Sequence, residues 1–227
     1  MREGTIPKPS ATRKRVGILI SGRGSNMMSL VEATQSPDYP AEVVLVVSNR
    51  PEAPGLAWAK SRGIPAIALD HKGYRSREEF DDQIDRLMKV SGVDIIACAG
   101  FMRLMTPGLV ENWRNRMINI HPSLLPSFKG LNTHERALAA GVRISGCTVH
   151  AVRHEVDTGP ILGQAAVPVR GDDTPETLAA RVLAAEHKLY PEVLKQLASG
   201  QISIDGDTVA FKDSFINNSV IFSPAIC

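Results

Sequence analysis

Apolar residues recur along the first half of the chain in short unbroken runs, each followed by a stretch with helical spacing. The runs Val16–Ile20, Val43–Val47, Ala66–Leu69, Val93–Ala97 and Met117–Ile120 predict buried strands. Between them, Met27–Ala33, the segment around Ala57–Ser61 and the amphipathic stretch Ser76–Val90 predict helices. This alternation indicates an α/β fold: a mostly parallel, twisted sheet with helices on both faces, whose ligands bind beyond the carboxyl ends of the strands. Further along, Cys147–Val152 and Ile161–Val169 read as strands and Pro175–Leu197 as one long helix with proline near its start. The segment Ile202–Phe211 reads as a small hairpin around Asp205-Gly206-Asp207.

Composition narrows this picture. A chain of 227 residues, 43% hydrophobic and 22% charged, suits one folded domain with a substantial core, expected over residues 15–215. Residues 1–14 carry Arg2, Lys8, Arg13 and Lys14 among Pro, Ser and Thr without an apolar period, and are expected to be a flexible tail. Residues 216–227 form a second tail, to which no order is assigned. With 26 Lys plus Arg against 24 Asp plus Glu, there is no excess charge for a broad nucleic-acid surface, so an anionic ligand must be held locally. The cysteines Cys98, Cys147 and Cys227 make neither a Cys-x-x-Cys pair nor a disulfide framework, which fits a reducing cytoplasm. No run approaches the roughly 18 apolar residues of a membrane span, and the N-terminus lacks a secretory core.

Three segments carry candidate chemistry. Ser21-Gly22-Arg23-Gly24-Ser25-Asn26 lies between a predicted strand and a predicted helix. There, glycines let backbone amides approach a phosphate and the helix dipole favours negative charge; the alternative is a plain tight turn. Met27 stands where a dinucleotide fingerprint needs its third glycine, and the second strand ends in Ser48-Asn49 rather than an acid, which argues against a nicotinamide cofactor. In Asn119-Ile120-His121-Pro122, positions two apart on a strand share a face, so the amide and the imidazole project together. Such a pair suits stabilisation of a carbonyl oxygen that gains negative charge, worth roughly 3 kcal/mol per donor; the alternative is a strand-end pair bonded to backbone. In His154-Glu155-Val156-Asp157-Thr158-Gly159-Pro160, Asp157 is either a partner carboxylate for His121 or an ordinary turn residue. His150, His154 and Glu155 lack a zinc-hydrolase pattern, and no metal is assigned.

Taken together, Ile18-Leu19-Ile20-Ser21-Gly22-Arg23-Gly24-Ser25-Asn26, Ala99-Gly100-Phe101-Met102-Arg103 and Asn119-Ile120-His121-Pro122-Ser123-Leu124-Leu125-Pro126 closely resemble the glycinamide ribonucleotide formyltransferase family. The likeness continues through Gly146-Cys147-Thr148-Val149-His150, Asp157-Thr158-Gly159-Pro160-Ile161 and Glu186-His187-Lys188-Leu189-Tyr190-Pro191, covering roughly residues 15–200. The resemblance implies a Rossmann-like formyltransferase fold with a nucleotide-binding half, about 15–115, and a folate-binding, catalytic half, about 116–215. It implies a catalytic trio of Asn119, His121 and Asp157, with 10-formyltetrahydrofolate as formyl donor and no metal. Gly24, Ser25, Asn26 and Glu186 would hold glycinamide ribonucleotide. Arg77, Met102, Arg103, Leu104, Met105, Asn119, Arg153, His154, Glu155, Val156 and Asp157 would contact the folate. Its partners would be these small molecules, with no nucleic acid or membrane, and the chain a cytoplasmic monomer or homodimer.

The sequence departs from the family in one stretch: Lys129-Gly130-Leu131-Asn132-Thr133-His134 stands where members often carry Pro-Gly-Leu-His-Thr-His. Related formyl-folate enzymes carry a further tRNA-holding domain or an N-terminal regulatory domain, and neither is expected here. A nucleotide-binding regulator on the same sheet is the reading from another class.

Overall fold

The computed structural model describes residues 13–212 and Ser223. The expected tails thus lie almost wholly outside the described residues; of residues 1–14, Lys14 already opens the first strand. Strands β1 (Lys14–Ile20), β2 (Ala41–Ser48), β3 (Ala66–Ala68), β4 (Ile95–Cys98) and β5 (Met117–His121) run parallel, while β6 (Ile144–Ala151) and β7 (Ile161–Pro168) pair antiparallel at one edge. The sheet order is β3-β2-β1-β4-β5-β6-β7. β6 runs against β5 across a connection that carries α5, and β7 returns against β6 through a loop with no crossover helix, the usual join of antiparallel neighbours.

Six α-helices among the described residues cover the sheet: α1 (Ser25–Thr34), α2 (Pro54–Ser61), α3 (Arg77–Val90), α4 (Pro107–Asn112), α5 (Thr133–Ala139) and α6 (Pro175–Ala198). Alternation along β1 divides the core into two layers. Val16, Ile18 and Ile20 pack with α1, α2, α5 and α6, whereas Leu19 packs with Phe80, Ile84 and Met88 of α3 and Leu109 and Val110 of α4. Central strands buried on both faces read as unbroken apolar runs, which is why β1, β2 and β4 stand out in the sequence. The short helices α4 and α5 do not, because six or seven residues hold too little periodicity.

The long helix begins with proline at its first turn, and Thr174 and Thr177 form a reciprocal cap. It continues past Pro191, whose carbonyl accepts a 2.6 Å bond from the Tyr39 hydroxyl. The hairpin forms as β8 (Ile202–Asp205) and β9 (Thr208–Phe211), turning at Gly206. The chain order reverses between β1 and β4, so a crevice opens beyond the carboxyl ends of β1, β4 and β5. No helix among the described residues is long and apolar enough to cross a membrane.

Candidate active site

Asn119 and His121 end β5 on one face, as their spacing requires. The antiparallel register sets Asn119 opposite His150 of β6, and the Asn119 Nδ2 lies 3.2 Å from His150 Nε2. The His150 Nδ1 is 3.0 Å from the Ala151 carbonyl, an acceptor that places the proton on that nitrogen. Nε2 is then the acceptor, and Asn119 donates one amide hydrogen to it while keeping a second to offer.

The loop after β6 brings a carboxylate to this pair. Asp157 Oδ2 lies 3.3 Å from His121 Nδ1 and accepts a 2.8 Å bond from the Gly130 amide, while Oδ1 is 3.6 Å from His150 Nε2. At that length His150 makes no direct hydrogen bond to the carboxylate. All three side chains are at most 9% exposed. Asp157 takes a left-handed backbone (φ 55°), uncommon outside glycine, Asn and Asp. Gly159 then lets the loop close on β6: a side-chain carbon there would collide with the Ala151 carbonyl.

Burial dominates the electrostatics of His121. It pulls the imidazole below its ordinary value, against the Phe128 carbonyl, 3.1 Å from Nε2, and the Asp157 carboxylate, both of which favour the charged ring. Burial alone would raise the Asp157 carboxyl, but His150, the Gly130 amide and His121 together outweigh it and hold the group below the usual carboxylate range. The pair rests as a neutral imidazole beside a carboxylate. One ring nitrogen of His121 faces a backbone carbonyl and the other faces Asp157.

These groups sit at a cavity of ≈ 630 Å³, within the range of small-molecule sites. Asn119, His150 and Asp157 provide polar wall; Phe101, Met105, Val110 and Val152 provide apolar wall. Of the residues expected to contact folate, Met102, Arg103, Leu104, Met105, Asn119, Arg153, His154, Val156 and Asp157 line it. Arg77 does not: it opens α3, exposed to solvent. Glu155 is likewise exposed and outside the lining. Arg103 stacks over Phe80 with its guanidinium carbon 4.7 Å from the ring centre.

The glycine loop lies next to this cavity. The Ser21 amide bonds the Gly100 carbonyl (3.1 Å), and the Ser21 hydroxyl accepts from the Met102 amide (2.7 Å), tying the loop after β1 to the one after β4. Gly24 caps α1 in the left-handed region (φ 73°), leaving the first helical amides without a side-chain partner and with no acidic residue in the first turn. Asn26 Nδ2 donates to Glu186 Oε2 at 2.7 Å, joining α1 to α6, while Asn26 Oδ1 is buried without a partner among the described residues. Burial raises the Glu186 carboxyl above its ordinary value despite that bond. His150 is the site residue that local sequence reasoning missed. Its signal was Asn119, reachable only through strand register.

Residues 14–194 match the family model described as Formyl transferase. The chain is 39% identical over 200 residues to the phosphoribosylglycinamide formyltransferase of Haemophilus influenzae, covering 88% of this chain and 94% of that relative. The chain belongs to the phosphoribosylglycinamide formyltransferase family. As a member of that family it is an enzyme of the formyl-transfer class. Its fold matches the crystal structure of glycinamide ribonucleotide transformylase 1 from Symbiobacterium toebii with a TM-score of 0.87 at 40% identity, covering 92% of this chain and 98% of that one. It is also 48% identical over 197 residues to the trifunctional purine biosynthetic protein adenosine-3 of Gallus gallus; those residues are 87% of this chain but 20% of that much longer relative.

Proposed function

We propose that the protein transfers the formyl group of 10-formyltetrahydrofolate to the amine of glycinamide ribonucleotide, a step of purine synthesis. The observation that carries this reading is the convergence of Asn119, His150 and Asp157 on the wall of a largely apolar cavity, with His121 buried behind them and a bare helix start next door. The cavity fits the donor. Its apolar walls suit a flat heteroaromatic ring, and the loops Met102–Met105 and Arg153–Asp157 would hold it. The amides at Gly24, Ser25 and Asn26 would receive the substrate phosphate, and Glu186 with the unpartnered Asn26 Oδ1 would accept hydrogen bonds from the rest of the substrate.

When an amine attacks a formyl carbon, negative charge gathers on the carbonyl oxygen and the nitrogen must lose a proton. The free hydrogen of the Asn119 amide, fixed by His150, serves the oxygen. The proton reaches His121, neutral at rest, by way of Asp157, which lines the cavity, and the carboxylate then stabilises the imidazolium so formed. The proton then passes to the departing folate nitrogen, so acid and base work balance within one turnover. Turnover of 10-formyltetrahydrofolate should depend on added glycinamide ribonucleotide. Equal turnover without the amine would instead mark a hydrolase.

A further inference from the structure

The loop that carries Asp157 is weakly tied to the body of the protein. Its backbone is anchored at its two ends, where the Val152 amide bonds the Met117 carbonyl (2.9 Å) and the Ala151 amide bonds the Pro160 carbonyl (2.9 Å). Among the described residues, the ties between those ends are made by side chains: Asp157 to Gly130 and His121, and Arg153 to the β8–β9 hairpin. Arg153 lines the cavity, yet its donors are spent on its outer side. Nε donates to Asp207 Oδ1 (2.9 Å), Nη2 to the Gly206 carbonyl (2.7 Å) and Asn115 Oδ1 (2.8 Å), and Nη1 to the Val152 carbonyl (3.1 Å).

The hairpin is itself fixed. Ile202 is buried in the core, the Lys212 amide bonds the Gln201 carbonyl (2.9 Å), and Asn115 Nδ2 donates to the Ile204 carbonyl (3.3 Å). Its turn thus presents one carboxylate and one carbonyl in a set geometry, which matches the planar fork of a guanidinium. A long side chain held in this way keeps its stem as a fixed wall rather than a mobile one.

The geometry points to the hairpin as a brace of the folate side of the site, with Asp207 as a positioning residue that acts through Arg153. This rests on the proposed function for the identity of the ligand, but not for the mechanics of the loop. Asp207 is 74% exposed and does not line the site cavity, so its removal is tolerable to the fold.

Two measurements on the full chain carrying Asp207→Ala test it. Calorimetric titration with tetrahydrofolate should show a dissociation constant raised roughly five-fold, with that for glycinamide ribonucleotide unchanged and partial recovery in Asp207→Glu. Amide hydrogen exchange should quicken at residues 153–157 but not in α1 or α6. Unchanged exchange in the loop, or equal loss of both ligands, would overturn the brace. Wild-type protein that fails to bind tetrahydrofolate would sink the functional reading instead, leaving the exchange measurement to decide the brace alone.

Discussion

The amide of Asn119 and the imidazole of His150 face each other across the β5–β6 pair at 3.2 Å, so the orientation of the candidate oxyanion donor is set by a residue on the next strand. A free asparagine amide can present nitrogen or oxygen to a ligand. Here the His150 proton, drawn to the Ala151 carbonyl, leaves an acceptor that selects nitrogen. His150→Leu should therefore lower kcat by about ten-fold with a smaller change in KM, as for a group that orients a transition-state donor. An effect confined to KM would show that His150 shapes binding only.

Asn119→Ala removes the donor itself. The expected loss is about 10²–10³ in kcat, with ligand dissociation constants changed far less. Steady-state kinetics combined with calorimetry would separate the two, and a loss carried wholly by KM would recast Asn119 as a binding group.

Asp157→Asn tests the coupling to His121. Burial already holds the imidazole below its ordinary value, and the carboxylate opposes that pull. Removing the negative charge must lower the His121 pKa further. Activity that requires the neutral ring then loses its acid limb at lower pH in the variant than in the wild type, on a reduced maximum rate. NMR titration of His121 reads the shift directly, and an upward or absent shift would disprove the coupling.

Gly24→Val addresses the helix start. The position is left-handed, and an added Cβ would lie 3.1 Å from the Met27 side chain and intrude where backbone amides are bare. Glycinamide ribonucleotide binding should weaken by at least ten-fold while tetrahydrofolate binding holds. Equal weakening would point to a folding defect.

Glu186→Gln makes the converse case. Burial raises the Glu186 carboxyl, so ionisation above its unfolded pKa costs stability, and the neutral amide should leave the Tm at neutral pH equal or higher. Nucleotide affinity should still fall, because the amide oxygen is a weaker acceptor than a carboxylate. A lower Tm with unchanged affinity would make Glu186 a structural residue.

Much of this was legible in the chain. The strands β1, β2, β4 and β5 show as apolar runs because sheet neighbours and helices bury both of their faces. The pairing of Asn119 with His121 follows from strand periodicity alone. What the chain hides is set by contacts between distant segments. His150 meets Asn119 only through antiparallel register 31 residues away. Arg153, expected at the folate, has its guanidinium claimed by a hairpin 54 residues later. Arg77 is expected there too, but the start of α3 leaves it in solvent. The fall in the His121 pKa is equally invisible to sequence, because it depends on how deeply β5 is covered.

The most direct test is to incubate purified protein with 10-formyltetrahydrofolate bearing an isotope-labelled formyl group and with glycinamide ribonucleotide, then follow the label by mass spectrometry. The account predicts that the label moves to the substrate amine in step with tetrahydrofolate formation, and that Asn119→Ala slows both together by about 10²–10³. Label released as free formate at the same rate whether or not the amine is present would contradict it.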